Sequence, residues 1–174
     1  GQIVEKVSGK SLNAFAQEYI FKPLGMPHTL FQEDHTQIIK NRATGYDPAA
    51  NGYVINMSNW DETGDGNVYT SVEDLYLWDQ AFYDTKLGKG LMDFLHTTGE
   101  LNNGKKLDYA FGLFIGEHKG LKTVSHGGAW AGFRAGFVRF PEQKFSVICL
   151  TNLGSQNPDD LCYKVADIYL ADLI

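Results

Sequence analysis

Lys122-Thr123-Val124-Ser125-His126-Gly127-Gly128-Ala129-Trp130-Ala131-Gly132-Phe133 is a strand-like run that passes into His-Gly-Gly, and two more strand-like runs follow it. These runs, Phe133 to Phe140 and Phe145 to Asn152, are dense in apolar and β-forming residues, and Pro141-Glu142-Gln143-Lys144 between them reads as a hairpin loop. Antiparallel neighbours covered on both faces are therefore expected. A strand that carries a hydrogen-bonding side chain and is then bared by glycines lets a carbonyl compound lie along its edge and offers backbone N–H groups to an oxyanion. The stretch predicts one wall of an acyl-transfer site. His126 presents the imidazole, Gly127 and Gly128 permit close approach, and Trp130 and Tyr69 are candidates to line the cleft.

Working outward, the C-terminal end reads as a helix. Asn157 is its cap, Pro158 occupies the first turn, Asp159 and Asp160 sit at the positive end of the dipole, and Leu161, Cys162, Val165, Ile168, Tyr169 and Leu173 form the packing stripe. Upstream of the wall, Tyr109 to Gly116 is expected as a strand, Asn102 to Lys105 as a turn, and Asp93 to His96 as part of a short helix. Thr70-Ser71-Val72-Glu73 is a capping box that opens a helix over 71–83, with Leu75, Trp78 and Phe82 as its buried face. Ser11 caps another helix to about Phe21, closed by Lys22-Pro23-Leu24-Gly25-Met26-Pro27. The first residues form an apolar stripe of Ile3, Val4 and Val7 with no cap before it, as though the chain enters in mid-helix. The stretch from His28 to Asp65 is irregular and longer than an ordinary connection, which implies a functional loop or very short strands. The fold class is α+β. Residues 1–108 form a helical region with a long loop, and residues 109–174 form antiparallel strands plus the C-terminal helix.

Composition limits the functions available. The 174 residues include 43% hydrophobic and 13% aromatic positions, enough for a packed core, and the net charge of -6 leaves no basic stripe for nucleic acid. No apolar stretch reaches the ~18 residues of a membrane-spanning helix. Cys149 and Cys162 lack metal-ligand spacing and read as buried free thiols, with a single bridge as the other reading. Asp61-Glu62-Thr63-Gly64-Asp65-Gly66 has the look of a calcium loop, but its twelfth position is Val72 where a bidentate glutamate is required, so a solvated turn is expected. His28 and His35 flank Glu33-Asp34 at no recognised ligand spacing and read as surface residues. No metal or organic cofactor is expected. Ser125-His126 is not a catalytic pair, because adjacent strand residues point to opposite faces. Tyr109, Phe111, Phe133 and Phe137 are expected in the core.

Four blocks carry a family resemblance over nearly the whole chain: Val4 to Leu12, Phe21-Lys22-Pro23-Leu24-Gly25-Met26, Gly66 to Leu75, and His126-Gly127-Gly128 leading to Phe140-Pro141 and Leu150-Thr151-Asn152. Together they resemble the serine beta-lactamase and penicillin-binding-protein superfamily, in the branch of class C beta-lactamases, D-alanyl-D-alanine carboxypeptidases and esterases. Asn67 departs from it where a second glycine is common. The resemblance implies a partial beta-lactamase/transpeptidase-like fold and a site assembled from a Ser-x-x-Lys helix, a Tyr-x-Asn loop and a Lys-Thr-Gly or His-x-Gly strand. His126, Gly127 and Gly128 match the strand motif, and Ala129 matches the residue whose backbone N–H completes the oxyanion hole.

No serine in the chain is followed by lysine three positions on, and no tyrosine by asparagine two positions on. The resemblance therefore implies the C-terminal part of a serine hydrolase acting through an acyl-serine on a beta-lactam, a D-amino-acid peptide or an ester. By itself such a part is expected to be inactive. It is expected to leave an exposed sheet edge that a homo-oligomer, a swapped dimer or a partner chain would cover. The alternative is a non-catalytic assembly module. His-Gly-Gly in place of Lys-Thr-Gly leans toward peptidase or esterase behaviour, and the family implies a periplasmic, secreted or membrane-attached location.

Overall fold

The computed structural model describes every residue of the chain except Glu62, so the expected turn at 61–66 lies partly outside the described residues. Its centre is a four-stranded antiparallel sheet in the order β5-β6-β7-β8: β5 Phe114–His118, β6 Leu121–Trp130, β7 Phe133–Phe140 and β8 Phe145–Thr151. The α+β expectation holds, and β7 and β8 fall where the apolar runs place them. Strand β5 starts later than expected, because Gly112 takes φ 74 and the chain doubles back, with Ala110 N–H donating to Leu113 O.

Side-chain alternation gives the sheet two unlike faces. Val138 and Phe140 of β7 pack with Phe145, Val147 and Cys149 of β8 against helix α6, Pro158–Tyr169, through its Cys162 and Ala166 and the following Leu170. Asn157 caps α6 as its sequence predicts, accepting from Asp160 N–H. On the opposite face Arg139 meets helix α4, Val72–Gln80. Ser71 rather than Thr70 caps α4. Trp78 and Phe82 pack, partly buried, against the helical core as the sequence pattern predicts, whereas the fully buried residues of α4 are Asp74 and Asp79.

Those two carboxylates fix the layout. Asp74 accepts from His28 N–H and Thr29 Oγ1, both at 2.7 Å, and so ties the long loop to the helix. Asp79 Oδ1 accepts from Arg139 Nε at 2.6 Å, and the guanidinium lies 3.9 Å over the Phe82 ring. His96 stacks on that ring in turn, and burial followed by the Arg139 charge pushes its pKa down.

A second core gathers Ala16, Phe21, Leu24, Met26, Ala81 and Met92. It joins α1 through α5 only in part: α2 Leu12–Ala16, a π-turn Gln17–Phe21, α3 Lys22–Leu24 and α5 Leu91–Leu95 contribute, whereas α1 Gln2–Ser8 buries no residue. The long loop contains strands too short to show in the sequence. β1 Leu30–Phe31 pairs with β4 Val68–Tyr69, and β2 Tyr46–Ala49 pairs with β3 Gly52–Ile55. Asn67, the departure from the family pattern, holds the left-handed φ of 59 that a glycine would take, a region asparagine tolerates.

Candidate active site

The site is set by how far β5 reaches. Lys119 and Gly120, with φ of 48 and 86, form a two-residue turn of the hand that matches strand twist, and this fixes the pairing from His118↔Leu121 to Phe114↔Ser125. β6 runs on to Trp130, and β7 pairs with it over that whole extension, up to Trp130↔Phe133. From His126 to Trp130 one edge of β6 therefore has no ladder partner among the described residues. An open edge of this kind can take an extended substrate by backbone hydrogen bonding.

Alternation sorts the residues of this segment. His126, Gly128 and Trp130 share one face with Phe137, Ala135 and Phe133 across the ladder. Gly127 and Ala129 share the other. A Cβ on Gly127 would stand 2.8 Å from Asp159 Oδ2, and one on Gly136 would stand 2.9 Å from the Pro158 carbonyl carbon. Gly127 thus lets the start of α6 dock, a packing role the sequence reading did not assign to it. Gly128 is the bare, exposed position on the His126 face.

The His126 ring is held at both nitrogens. Nδ1 lies 2.6 Å from Gly127 O and Nε2 lies 2.9 Å from Tyr109 Oη. A carbonyl only accepts, so the proton sits on Nδ1, and Nε2 accepts from the phenol. Phe114 stacks on the ring at 5.5 Å. Ser125 takes no part, as alternation requires. Tyr109 and Phe111, expected in the core, are 37% and 53% exposed, because the Gly112 reversal lifts them onto the sheet surface beside β5. Tyr109 is the functional candidate that sequence reading missed. Its position just before a Tyr-x-x-Gly reversal leading into the strand is the signal that could have flagged it.

At the far end of the same face, Trp130 Nε1 donates to Ser58 Oγ at 2.9 Å, and the Trp60 ring stands 4.4 Å from the Trp130 ring. Tyr69 belongs to the separate β1–β4 pair and lies under Arg42 at 5.9 Å. On the α6 side, an open cleft of about 280 Å³ is lined by Gly127, Gly128, Ala129, Arg134, Asn157 and Asp159 among others, and the imidazole is not part of it.

The remaining candidates are occupied otherwise. Asp34, His35 and Asp61 bring ligand atoms within 4.8 Å of one another, and all three residues are exposed. The His35 backbone N–H and ring hold the Asp61 carboxylate below its usual range, and Thr36 does the same to Asp34. His28 is not in this group. Both cysteines are free, with Cys162 buried and Cys149 only partly so. Burial pushes the Cys162 thiol up to about 12, which removes it as a nucleophile at neutral pH.

A family model described as Beta-lactamase matches residues 1–168. The chain belongs to the beta-lactamase family. It is 32% identical to penicillin-binding protein 4* of Bacillus subtilis, over 99% of this chain and 41% of that protein. It is 26% identical to a D-aminopeptidase of Brucella anthropi, over 97% of this chain and 32% of that protein. Among solved structures, the octameric penicillin-binding protein homologue from Pyrococcus abyssi superposes with a TM-score of 0.85 at 26% identity, covering 98% of this chain and 40% of that one. The chain spans less than half the length of each of these relatives. Family membership and the penicillin-binding-protein fold agree with the four sequence blocks, and His126-Gly127-Gly128 lies on the open segment of β6.

Proposed function

We propose that this chain supplies the strand wall of a beta-lactamase-family serine hydrolase that cleaves a beta-lactam, a D-amino-acid peptide or an ester through an acyl-serine. The observation that carries the reading is the unpaired edge of β6 from His126 to Trp130, with the imidazole fixed at its start. The names of the relatives, a penicillin-binding protein and a D-aminopeptidase, support the reaction class.

In this reading the substrate carbonyl lies along the open edge. A serine outside this chain attacks the carbonyl carbon, and the charge that collects on oxygen is met by the Ala129 backbone N–H. The carbon–nitrogen or carbon–oxygen bond to the leaving group then breaks, the leaving amine or alcohol takes the proton that the serine hydroxyl gave up, and water cleaves the acyl-serine to release the acid and restore the hydroxyl. Gly128 keeps the floor of the face flat, and Trp130 closes its end. The Tyr109–His126 pair orients the imidazole toward the substrate or toward the general base. Without a nucleophile the chain alone is inert, because removing the nucleophile of such a unit costs on the order of 10⁶ in turnover.

The test is intact-mass spectrometry after exposure to a fluorescent penicillin or a fluorophosphonate. The chain alone should gain no acyl mass, and the chain combined with a Ser-x-x-Lys segment from the same reading frame should gain one. Acylation of a serine within these 174 residues would overturn the assignment. Edge pairing between copies is a further part of the proposal, supported by the octameric relative and by the outermost position of β8 in the sheet, whereas the outer edge of β5 is partly taken by Asp108 and Tyr109. Sedimentation velocity checks it.

A further inference from the structure

The His126 face of β6 has a second organised feature besides the imidazole. Ser58 Oγ accepts from Trp130 Nε1–H at 2.9 Å and from the Trp60 backbone N–H at 3.3 Å, and Asn67 Nδ2 donates to Trp60 O at 3.0 Å. Trp60 is thereby clamped on both sides of its peptide, and Trp130 is clamped at its indole. The rings meet at 57°, a corner rather than a sandwich, and remain 47% and 46% exposed. A purely structural tryptophan pair would sink most of its 150–250 Å² per ring into a core. This pair spends three hydrogen bonds on holding its rings in the open.

Between the corner and the imidazole, the floor is Gly128 and Ala135, the smallest side chains on the face. At ~3.3 Å per residue, Trp130 lies about 13 Å along the strand from His126 and one residue beyond Ala129. An aromatic group attached next to a carbonyl at Ala129 would reach the corner without crossing a bulky side chain.

Resting on the serine-hydrolase reading, we propose that Trp60 and Trp130 form the specificity subsite for an aromatic side chain of the substrate, with Ser58 and Asn67 as its positioning residues. The corner selects substrates with a benzyl-sized ring over those with a methyl group.

The test is binding, which needs no nucleophile. The chain, labelled with ¹⁵N, is titrated with N-acetyl-phenylalaninamide and N-acetyl-alaninamide in both configurations, reading the indole N–H signals. The phenyl compound of one configuration should bind about 10-fold more tightly than its alanine counterpart, as stacking on a held ring implies. It should move the Trp60 and Trp130 signals and leave Trp78, which packs against the helical core, in place. Trp60→Leu should abolish the preference while the Trp78 and Trp130 signals stay dispersed, which shows that the variant is folded. Equal affinity for the two compounds, movement of Trp78 alone, or no binding of either compound overturns the subsite. The acylation assay on the chain combined with its Ser-x-x-Lys segment is independent: acyl-serine formation there without ring preference sinks only the subsite, and ring preference without acylation of that combination sinks only the hydrolase reading.

Discussion

The two faces of the β5–β8 sheet are built on opposite principles. Against α6, Val138 and Phe140 are fully buried among Cys162, Ala166 and Leu170, and the ion pairs of His118 and Lys119 with Asp167 lie at the half-exposed margin of that contact. Against α4, the face begins with a buried charge pair, Arg139 and Asp79, and opens along β6 into exposed His126, Gly128 and Trp130. An apolar layer tolerates exchange of one hydrocarbon for another of similar volume, whereas a charge buried with one partner tolerates almost nothing. The α6 face holds the sheet together, and the other face holds one edge of it open.

The largest effect expected from breaking this division is at Asp79. Asp79→Ala leaves Arg139 buried without its carboxylate, and urea unfolding should show a loss of about 3–5 kcal/mol. Changing both partners to apolar residues, Asp79→Leu with Arg139→Met, should recover most of that loss. If the double variant is as unstable as the single one, the pair does more than satisfy itself. On the α6 face, Gly136→Ala tests close packing. The new methyl would meet the Pro158 backbone at 2.9 Å, and overpacking of this kind costs about 1–3 kcal/mol. A neutral result would show that the α6 start can shift.

A smaller, pH-dependent effect is expected where α6 meets the β5–β6 turn. His118 Nε2 lies 2.6 Å from Asp167 Oδ1 and Lys119 Nζ lies 2.9 Å from Oδ2, and these contacts hold the Asp167 carboxyl below its usual range. A depressed carboxyl pKa contributes stability above the unfolded-state pKa and loses it as pH falls through the folded-state value. Asp167→Asn should therefore be less stable than the parent at pH 7, and the gap should close as the solution is acidified. A gap that persists in acid would mean that the side chain acts by packing instead.

Much of the α6 face was legible in the sequence, because its signals are local. The apolar runs of β7 and β8 are bounded by Pro141 to Lys144, and Asn157-Pro158 announces the helix. The open face was legible only at His126-Gly127-Gly128. Its other parts come together through contacts that leave no local pattern: Ser58 meets Trp130 across 72 residues, and Asp79 meets Arg139 across 60. At α4 the helical period found Trp78 and Phe82, which pack against the helical core, but not Asp74 and Asp79, which tertiary pairing buries more deeply. Gly127 shows the converse. The glycine was legible, but its reason lay in the approach of Asp159, which the sequence does not display.

The smallest effect on stability should come from Tyr109→Phe, and it bears most directly on the open face. The phenol is exposed and donates one hydrogen bond, to His126 Nε2 at 2.9 Å, so unfolding should change by no more than about 0.5 kcal/mol. The imidazole is a different matter. Its Nδ1–H remains on Gly127 O, so ¹⁵N shifts should still report the Nδ1–H tautomer, now with Nε2 free of its donor. In the proposed hydrolase, loss of a group that only positions the ring should lower kcat about 10-fold with little change in KM, well short of the 10²–10⁴ that a group transferring the proton contributes. A larger loss would promote Tyr109 to the proton path, and no loss would leave the pair as a scaffold for the end of β5.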